Sequence, residues 1–171
     1  MNTKLVALKA RLLSEGELVL PLQGRCMAPL LVDGDMAKII PITQYSIGQL
    51  YLFELPNGNL AVHRLIDVTE HSATLKGDRS RGLETVPYKN FIGMVSQIKL
   101  FELEVWIKYA PSKIALKLVT HISRELAKDK RLKGNVKFGR VNYRFRLIGL
   151  YLMSNLTRWT WKRASKSFSD S

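Results

Sequence analysis

The segment GRCMAPLL at residues 24–31 contains Cys26, the only cysteine of the 171-residue chain. A thiol can act as a nucleophile once it is deprotonated, or it can pack as a small hydrophobic side chain. The segment alone leaves both interpretations open. One cysteine excludes an internal disulfide bond, and one cysteine with three scattered histidines does not predict a zinc site. The sequence contains no glycine-rich phosphate loop, so we expect neither a metal nor a cofactor.

Short strand patterns lie on both sides of Cys26. Leu5, Leu8 and Leu12 have helical spacing, which predicts a helix over residues 4–13. Strand patterns then follow at 17–22, 36–42, 49–55, 59–68, 72–77 and 91–103. Turn residues separate them, including an Asn-Gly pair at 57–58 that is typical of a hairpin. Several short strands without intervening helices predict a mainly β domain over residues 17–104.

The last third of the chain has a different composition. Residues 1–104 contain eleven Lys/Arg and eleven Asp/Glu, whereas residues 105–171 contain sixteen and three, so the net charge of +13 lies entirely in the second part (16 − 3). Apolar residues recur every three or four positions over 111–133 and 140–164, which predicts two helices. We therefore predict an N-terminal helix at 1–16, a β domain at 17–104 and a basic helical C-terminal module at 105–171, an α+β protein overall.

Several short motifs follow one another along residues 20–98. They are G-R-C-M-A-P with G-D at 34–35, then I-G-Q at 47–49, V-H-R-L at 62–65, K-G-D at 76–78 and I-G-M-V at 92–95. Their order and spacing resemble the signal peptidase I superfamily, which includes the self-cleaving phage and SOS repressors. The resemblance implies the coiled, mostly antiparallel β fold of that superfamily, with a C-terminal α-helical appendage in this chain.

The resemblance also implies a catalytic pair. Its members carry a nucleophilic serine where this chain has Cys26, and their base is a lysine in most bacterial members but a histidine in the archaeal and endoplasmic-reticulum type. V-H-R-L matches the histidine type, which implies His63 as the base. The pair is chemically coherent, because the thiolate is the nucleophile and a nearby imidazolium lowers the pKa of a thiol. A carboxylate could orient the imidazole: Asp78 is the first candidate and Glu84 the second, and Asp78 could equally stabilise a turn.

Three neighbours of Cys26 are candidate substrate-binding residues. Arg25 could contact the substrate or remain solvated, while Met27 and Pro29 are expected to shape the turn and a pocket wall. The backbone N–H of Cys26, with one neighbouring donor, is the expected oxyanion donor. Asp35 is expected to fix the loop behind the nucleophile.

The basic module has three open interpretations. Residues 140–166 mix apolar and aromatic side chains with Arg and Lys, which suits peripheral contact with an anionic membrane. The same helices could pack on the β domain, or they could capture the leader of a peptide substrate. No segment is long and apolar enough for a membrane span. We therefore expect a cytoplasmic protein, at most peripheral at the inner face of the membrane.

Three functions follow from these patterns. The first is a cysteine-type endopeptidase that cleaves a leader or precursor peptide, by analogy in the maturation of a ribosomally made peptide. The alternative is a catalytically inactive protein of the same fold that binds a peptide or partner. A nucleic-acid-binding regulator is disfavoured, because the repressors carry a DNA-binding domain before the peptidase fold and only about twenty residues precede it here.

Overall fold

The computed structural model describes residues 3–28, 30–80, 82–101 and 106–109. The predicted N-terminal helix is present as α1, Thr3–Glu15. Its buried face carries Leu5 and Leu12, and it packs against the sheet that follows. It ends where the Gly16 N–H donates to the Leu12 carbonyl at 2.9 Å.

In this part of the chain eight strands form a single antiparallel sheet. They are β1 (Leu18–Pro21), β2 (Met36–Ile40), β3 (Leu50–Glu54), β4 (Leu60–Val68), β5 (Ser72–Lys76), β6 (Glu84–Pro87), β7 (Phe91–Lys99) and β8 (Trp106–Lys108). A short 3₁₀ turn at Tyr88–Asn90 joins β6 to β7. The order across the sheet is β1-β2-β7-β3-β4-β5-β6, and β8 pairs with β7. The predicted fold class, mainly antiparallel β within an α+β protein, is confirmed.

The six strands predicted from the sequence correspond to β1–β5 and β7, whereas β6 and β8 were not predicted. β8 continues the sheet beyond residue 104, where the sequence placed the end of the β domain, and its Ile107 pairs with Ile98 of β7. Register shifts interrupt the pairing of β2 with β7, of β3 with β7 and of β4 with β5. Such irregularities increase the local twist and bend of a sheet.

The sheet buries both of its faces. Alternate residues of a strand point to opposite faces, and in β3 Leu50 and Leu52 join one hydrophobic cluster while Tyr51 and Phe53 join another. The first cluster includes the buried face of α1. Gly93 of β7 makes that packing possible, because a Cβ there would lie 2.4 Å from Ile39 Cγ2 and 2.9 Å from Leu12 Cδ2. The glycine of the I-G-M-V motif therefore has a packing role.

The predicted helices at 111–133 and 140–164 lie outside the described residues, as does the segment 140–166 that was expected to contact a membrane. Among the residues that are described, no helix is long and apolar enough to cross a membrane.

Candidate functional site

Cys26 lies in the loop that connects β1 to β2. The loop is closed at its base, where the Leu22 N–H donates to the Asp35 carbonyl at 2.7 Å. The carboxylate of Asp35 is fully buried and accepts the N–H groups of Val32 at 2.9 Å and Phe101 at 3.1 Å. The prediction that Asp35 fixes the loop behind Cys26 is confirmed.

The K-G-D segment after β5 packs directly on Cys26. The Arg79 N–H donates to the Cys26 carbonyl at 2.8 Å. A Cβ on Gly77 would lie 2.9 Å from the Cys26 oxygen and 3.1 Å from Cys26 Cβ. Any larger residue at position 77 would therefore push the cysteine out of place, which explains why this motif contains a glycine.

His63 is held by a carboxylate. It lies in β4 opposite Tyr51 of β3, with only 5% of its surface exposed. Its Nδ1 lies 2.6 Å from Oε2 of Glu84, the first residue of β6. When Nδ1–H donates to this carboxylate, Nε2 is the nitrogen that a neutral imidazole keeps free to accept a proton. Glu84 thus orients the ring and would stabilise its positive charge.

Asp78, the first candidate for that role, instead pairs with Arg64. The guanidinium donates from Nε to Oδ1 at 2.8 Å and from Nη2 to Oδ2 at 2.6 Å. Its Nη1 donates to the Gly48 carbonyl at 2.6 Å and to the Tyr109 hydroxyl at 3.0 Å. Arg64 is completely buried, so this ion pair ties β4 to the segment after β5 and to the residue that follows β8.

The alternation of side chains explains why Glu84, and not Asp78, reaches His63. Cross-strand partners point to the same face of a sheet. Arg64 pairs with Lys76, and Asp78 lies two positions after Lys76, on the Arg64 side. Leu65, two residues after His63, pairs with Leu75, which in turn pairs with Glu84. That chain of partners places Glu84 on the His63 side.

Cys26 and His63 line the same cavity, which has a volume of about 710 Å³. Its walls come from the end of β1 and the following loop on one side and from the start of β4 on the other. Most of the lining is apolar: Leu20, Pro21, Leu22, Gln23, Gly24, Met27, Leu31, Val32, Ile39, Leu52, Leu55, Asn59, Leu60, Ala61 and Val62 complete it. The cavity therefore offers hydrophobic surface directly beside the thiol and the imidazole.

The electrostatic setting of the thiol differs from the expectation. Burial raises the pKa of Cys26, and the carboxylates of Glu84 and Asp78 act in the same direction, while hydrogen bonds from the backbone of Cys26 and Met27 oppose the shift. The imidazole of His63 is not among the influences on this pKa, and its net direction is upward. The thiol is protonated at neutral pH, so a base must remove its proton during any attack.

The three candidate substrate-binding residues lie in different settings. Met27 is buried and lines the large cavity. Arg25 is exposed and lines a smaller recess together with Cys26, Arg79 and Ser80. The sequence patterns did not single out Arg79 or Ser80. Pro29 lies outside the described residues. Within the described ranges, no group of three or more His, Cys, Asp or Glu side chains could hold a metal ion.

Comparisons with known proteins found no family model that matches the chain and no curated protein that matches it. The chemistry of the site therefore rests on its own residues: a thiol, an imidazole held by a carboxylate, and an apolar cavity that the thiol and the imidazole share.

Proposed function

We propose that this protein is a cysteine-type endopeptidase related to signal peptidase I, with Cys26 as nucleophile, His63 as base and Glu84 as the residue that orients His63. The observation that carries the proposal is the 2.6 Å contact between His63 and Glu84 at the wall of a cavity that Cys26 also lines. A nucleophile, a base and a group that orients the base are the three parts of a triad.

The proposed reaction proceeds by acyl transfer. His63 Nε2 accepts the thiol proton while the sulfur attacks the scissile carbonyl, and the imidazolium then gives that proton to the departing amine. Water, deprotonated by His63, hydrolyses the resulting thioester and restores the thiol. The backbone hydrogen bonds that reach the sulfur from Cys26 and Met27 make these N–H groups the candidates for stabilising the oxyanion.

The cavity supports a peptide as the substrate. Its apolar walls along the end of β1 and the start of β4 suit hydrophobic side chains of an extended segment. We propose a leader or precursor peptide, with maturation of a ribosomally made peptide as the biological role. A reducing compartment keeps a thiol free, so we place the protein in the cytoplasm, at most peripheral at the membrane through residues 140–166.

A peptide library tests the proposal. Wild type, Cys26→Ala and His63→Ala are each incubated with proteome-derived peptides whose amines are blocked, and new amino termini are identified by mass spectrometry. We expect cleavage by the wild type and none by either variant. His71→Ala is the matched control, because His71 is exposed beside Glu70 and its loss should leave cleavage unchanged. Absence of cleavage by the folded wild type, or equal cleavage by Cys26→Ala, would contradict the proposal.

The raised pKa of the Cys26 thiol favours one second candidate, an inactive protein of the same fold that binds a peptide without cleaving it. The same library distinguishes the two functions. Binding alone predicts that wild type and Cys26→Ala retain the same peptides and that no new termini form.

A further inference from the structure

A second recess adjoins Cys26. It has a volume of about 360 Å³ and is lined by Arg25, Cys26, Arg79 and Ser80. Cys26 also lines the large cavity, whereas His63 lines only the large one. Cys26 therefore lies between two different surroundings, a mainly apolar cavity that His63 also lines and a small recess whose other lining residues are two arginines and a serine.

Arg79 is held in this recess with an unused donor. Its backbone N–H is bound to the Cys26 carbonyl, which fixes the residue next to the nucleophile. Its side-chain Nε is buried and has no hydrogen-bond partner among the described residues. A buried donor without an acceptor is unfavourable, so an acceptor supplied by a ligand would stabilise it.

Neither Arg25 nor Arg79 forms an ion pair with a carboxylate of the described residues. Asp78, the residue before Arg79, accepts both of its ion-pair hydrogen bonds from Arg64. Glu84 accepts from His63. The positive charge of Arg25 and Arg79 is therefore available to a ligand, and a planar carboxylate is the group that a guanidinium fork matches best in a peptide.

We propose that this recess, the arginine recess, binds a carboxylate of the substrate next to the bond that Cys26 attacks. The preferred cleavage site then has an acidic group on the recess side of the bond and hydrophobic residues in the large cavity. The carboxylate belongs either to an Asp or Glu side chain, as an endopeptidase requires, or to the end of the peptide chain, in which case the cleavage removes the last residue. The role in substrate choice rests on the proposed function, whereas anion binding beside Cys26 does not.

Two small alkylating reagents test the recess without any peptide hydrolysis. Iodoacetate and iodoacetamide react alike: the sulfur forms a bond to the CH₂ group, the carbon–iodine bond breaks, iodide leaves, and the thiol proton passes to solvent. Only iodoacetate carries a carboxylate. We compare the ratio of the iodoacetate rate to the iodoacetamide rate. We expect this ratio to be about tenfold higher for Cys26 than for the uncharged free thiol N-acetylcysteine amide, because one charge-assisted hydrogen bond supplies about that factor.

Arginine variants locate the effect. Arg79→Gln and Arg25→Gln should each lower the ratio toward that of the free thiol, while Arg11→Gln should leave it unchanged, since Arg11 is exposed on α1 and pairs with Glu15. Circular dichroism checks that the variants fold. If Arg79→Gln does not fold, Arg25→Gln still tests the proposal, because Arg25 is exposed. A wild-type ratio equal to that of the free thiol, or an unchanged ratio in a folded arginine variant, overturns the proposal.

Protection of Cys26 from iodoacetamide identifies the source of the carboxylate. N-acetylglutamic acid α-amide presents a side-chain carboxylate, N-acetylalanine a terminal one, and N-acetylalanine amide neither. Protection by the first or the second supports the recess and assigns its ligand, and equal protection by the neutral amide or none by either acid contradicts it. If the protein cleaves no peptide but has a raised ratio for iodoacetate, the proposed recess stands and the proposed peptidase activity is refuted. If the protein cleaves peptides but its ratio equals that of the free thiol, only the proposed recess is refuted.

Discussion

The contact between His63 and Glu84 makes a direct prediction for the variant Glu84→Gln. Glutamine keeps the size of the side chain and an oxygen that can accept from Nδ1, but it removes the negative charge. We expect acylation of Cys26 to slow by about ten- to hundredfold, a change of about 1.5–3 kcal/mol in the barrier. Stability should change by less than about 1 kcal/mol, because the Glu84 side chain is partly exposed.

The magnitude follows from the geometry. As His63 takes the thiol proton it becomes a cation, and Glu84 Oε2 lies 2.6 Å from its Nδ1. Two unit charges about 4 Å apart attract by about 4 kcal/mol at an effective dielectric constant of about 20. The side chain of Glu84 is 32% exposed, so water screens part of that attraction, and the value falls into the range of a hydrogen bond to a charged group.

The assay uses an activated ester, because acylation by p-nitrophenyl acetate requires the same proton removal from Cys26. Release of p-nitrophenolate is followed by absorbance, and the release by Cys26→Ala is subtracted to remove the reaction of other side chains. Glu17→Gln is the matched control, since Glu17 also forms an ion pair, with Lys38 at 3.0 Å, but lies outside the lining of the cavity. Its rate should equal that of the wild type.

Two results would refute the reasoning. If Glu84→Gln is acylated as fast as the wild type while His63→Ala is slow, the carboxylate does not act through the imidazole. If His63→Ala is also as fast as the wild type, His63 is not the base and the proposed mechanism fails with it.

Four further variants or conditions have expected outcomes. Cys26→Ser should still be acylated slowly, whereas Cys26→Ala should not be acylated, because His63 can remove the proton of a serine hydroxyl during the attack as it does that of the thiol. Alkylation of Cys26 by iodoacetamide should show its inflection at a higher pH in the folded protein than in the chain unfolded in urea, since burial raises the pKa of the thiol. Asp78→Asn should lower the free energy of unfolding by about 3 kcal/mol or more in denaturant titrations, because it leaves buried Arg64 without its counter-charge. Lys76→Met should raise the free energy of unfolding at neutral pH, and this gain should shrink as the pH rises toward 10.5. Burial lowers the pKa of Lys76 from its usual 10.5. Between the lowered pKa and 10.5 the folded wild type binds fewer protons than the unfolded chain, so the wild type gains stability as the pH rises.

The sequence predicted β4, the strand that carries His63, but it did not predict β6, which carries Glu84, or the neighbours of each side chain. In any strand over residues 59–68, His63 and Arg64 point to opposite faces, because successive side chains of a strand alternate. Which carboxylate faces His63 depends on the register of β5 and β6, and β6 is a four-residue strand, Glu84–Pro87, whose pattern is too short to recognise. Without β6, Asp78 and Glu84 could be ranked only by the motif resemblance, in which Asp78 belongs to K-G-D and Glu84 lies a few residues beyond it.

The glycines of the motifs show a similar limit. Gly77 and Gly93 are visible in the sequence as members of K-G-D and I-G-M-V, and a turn or a bulge is the usual reason for a glycine near a strand. Their actual role is close approach, of Gly77 to Cys26 and of Gly93 to Ile39 and α1. Contacts between segments so far apart in the chain depend on the packing of the whole sheet, which a local pattern does not contain.

The raised pKa of the thiol changes how the proposed mechanism works. A cysteine that forms a stable ion pair with histidine is a thiolate before the substrate arrives. Cys26 lies between an apolar cavity and the K-G-D segment, and burial and the carboxylates of Glu84 and Asp78 raise its pKa. The negative charge of its thiolate is therefore disfavoured until the proton can move to His63. In the proposed mechanism, Glu84 then stabilises the imidazolium as it forms. A serine nucleophile also loses its proton during the attack and not before it. On the proposed mechanism, Cys26 therefore differs from the serine of the signal peptidase I superfamily in its reactive atom, but its proton follows the same route to the base.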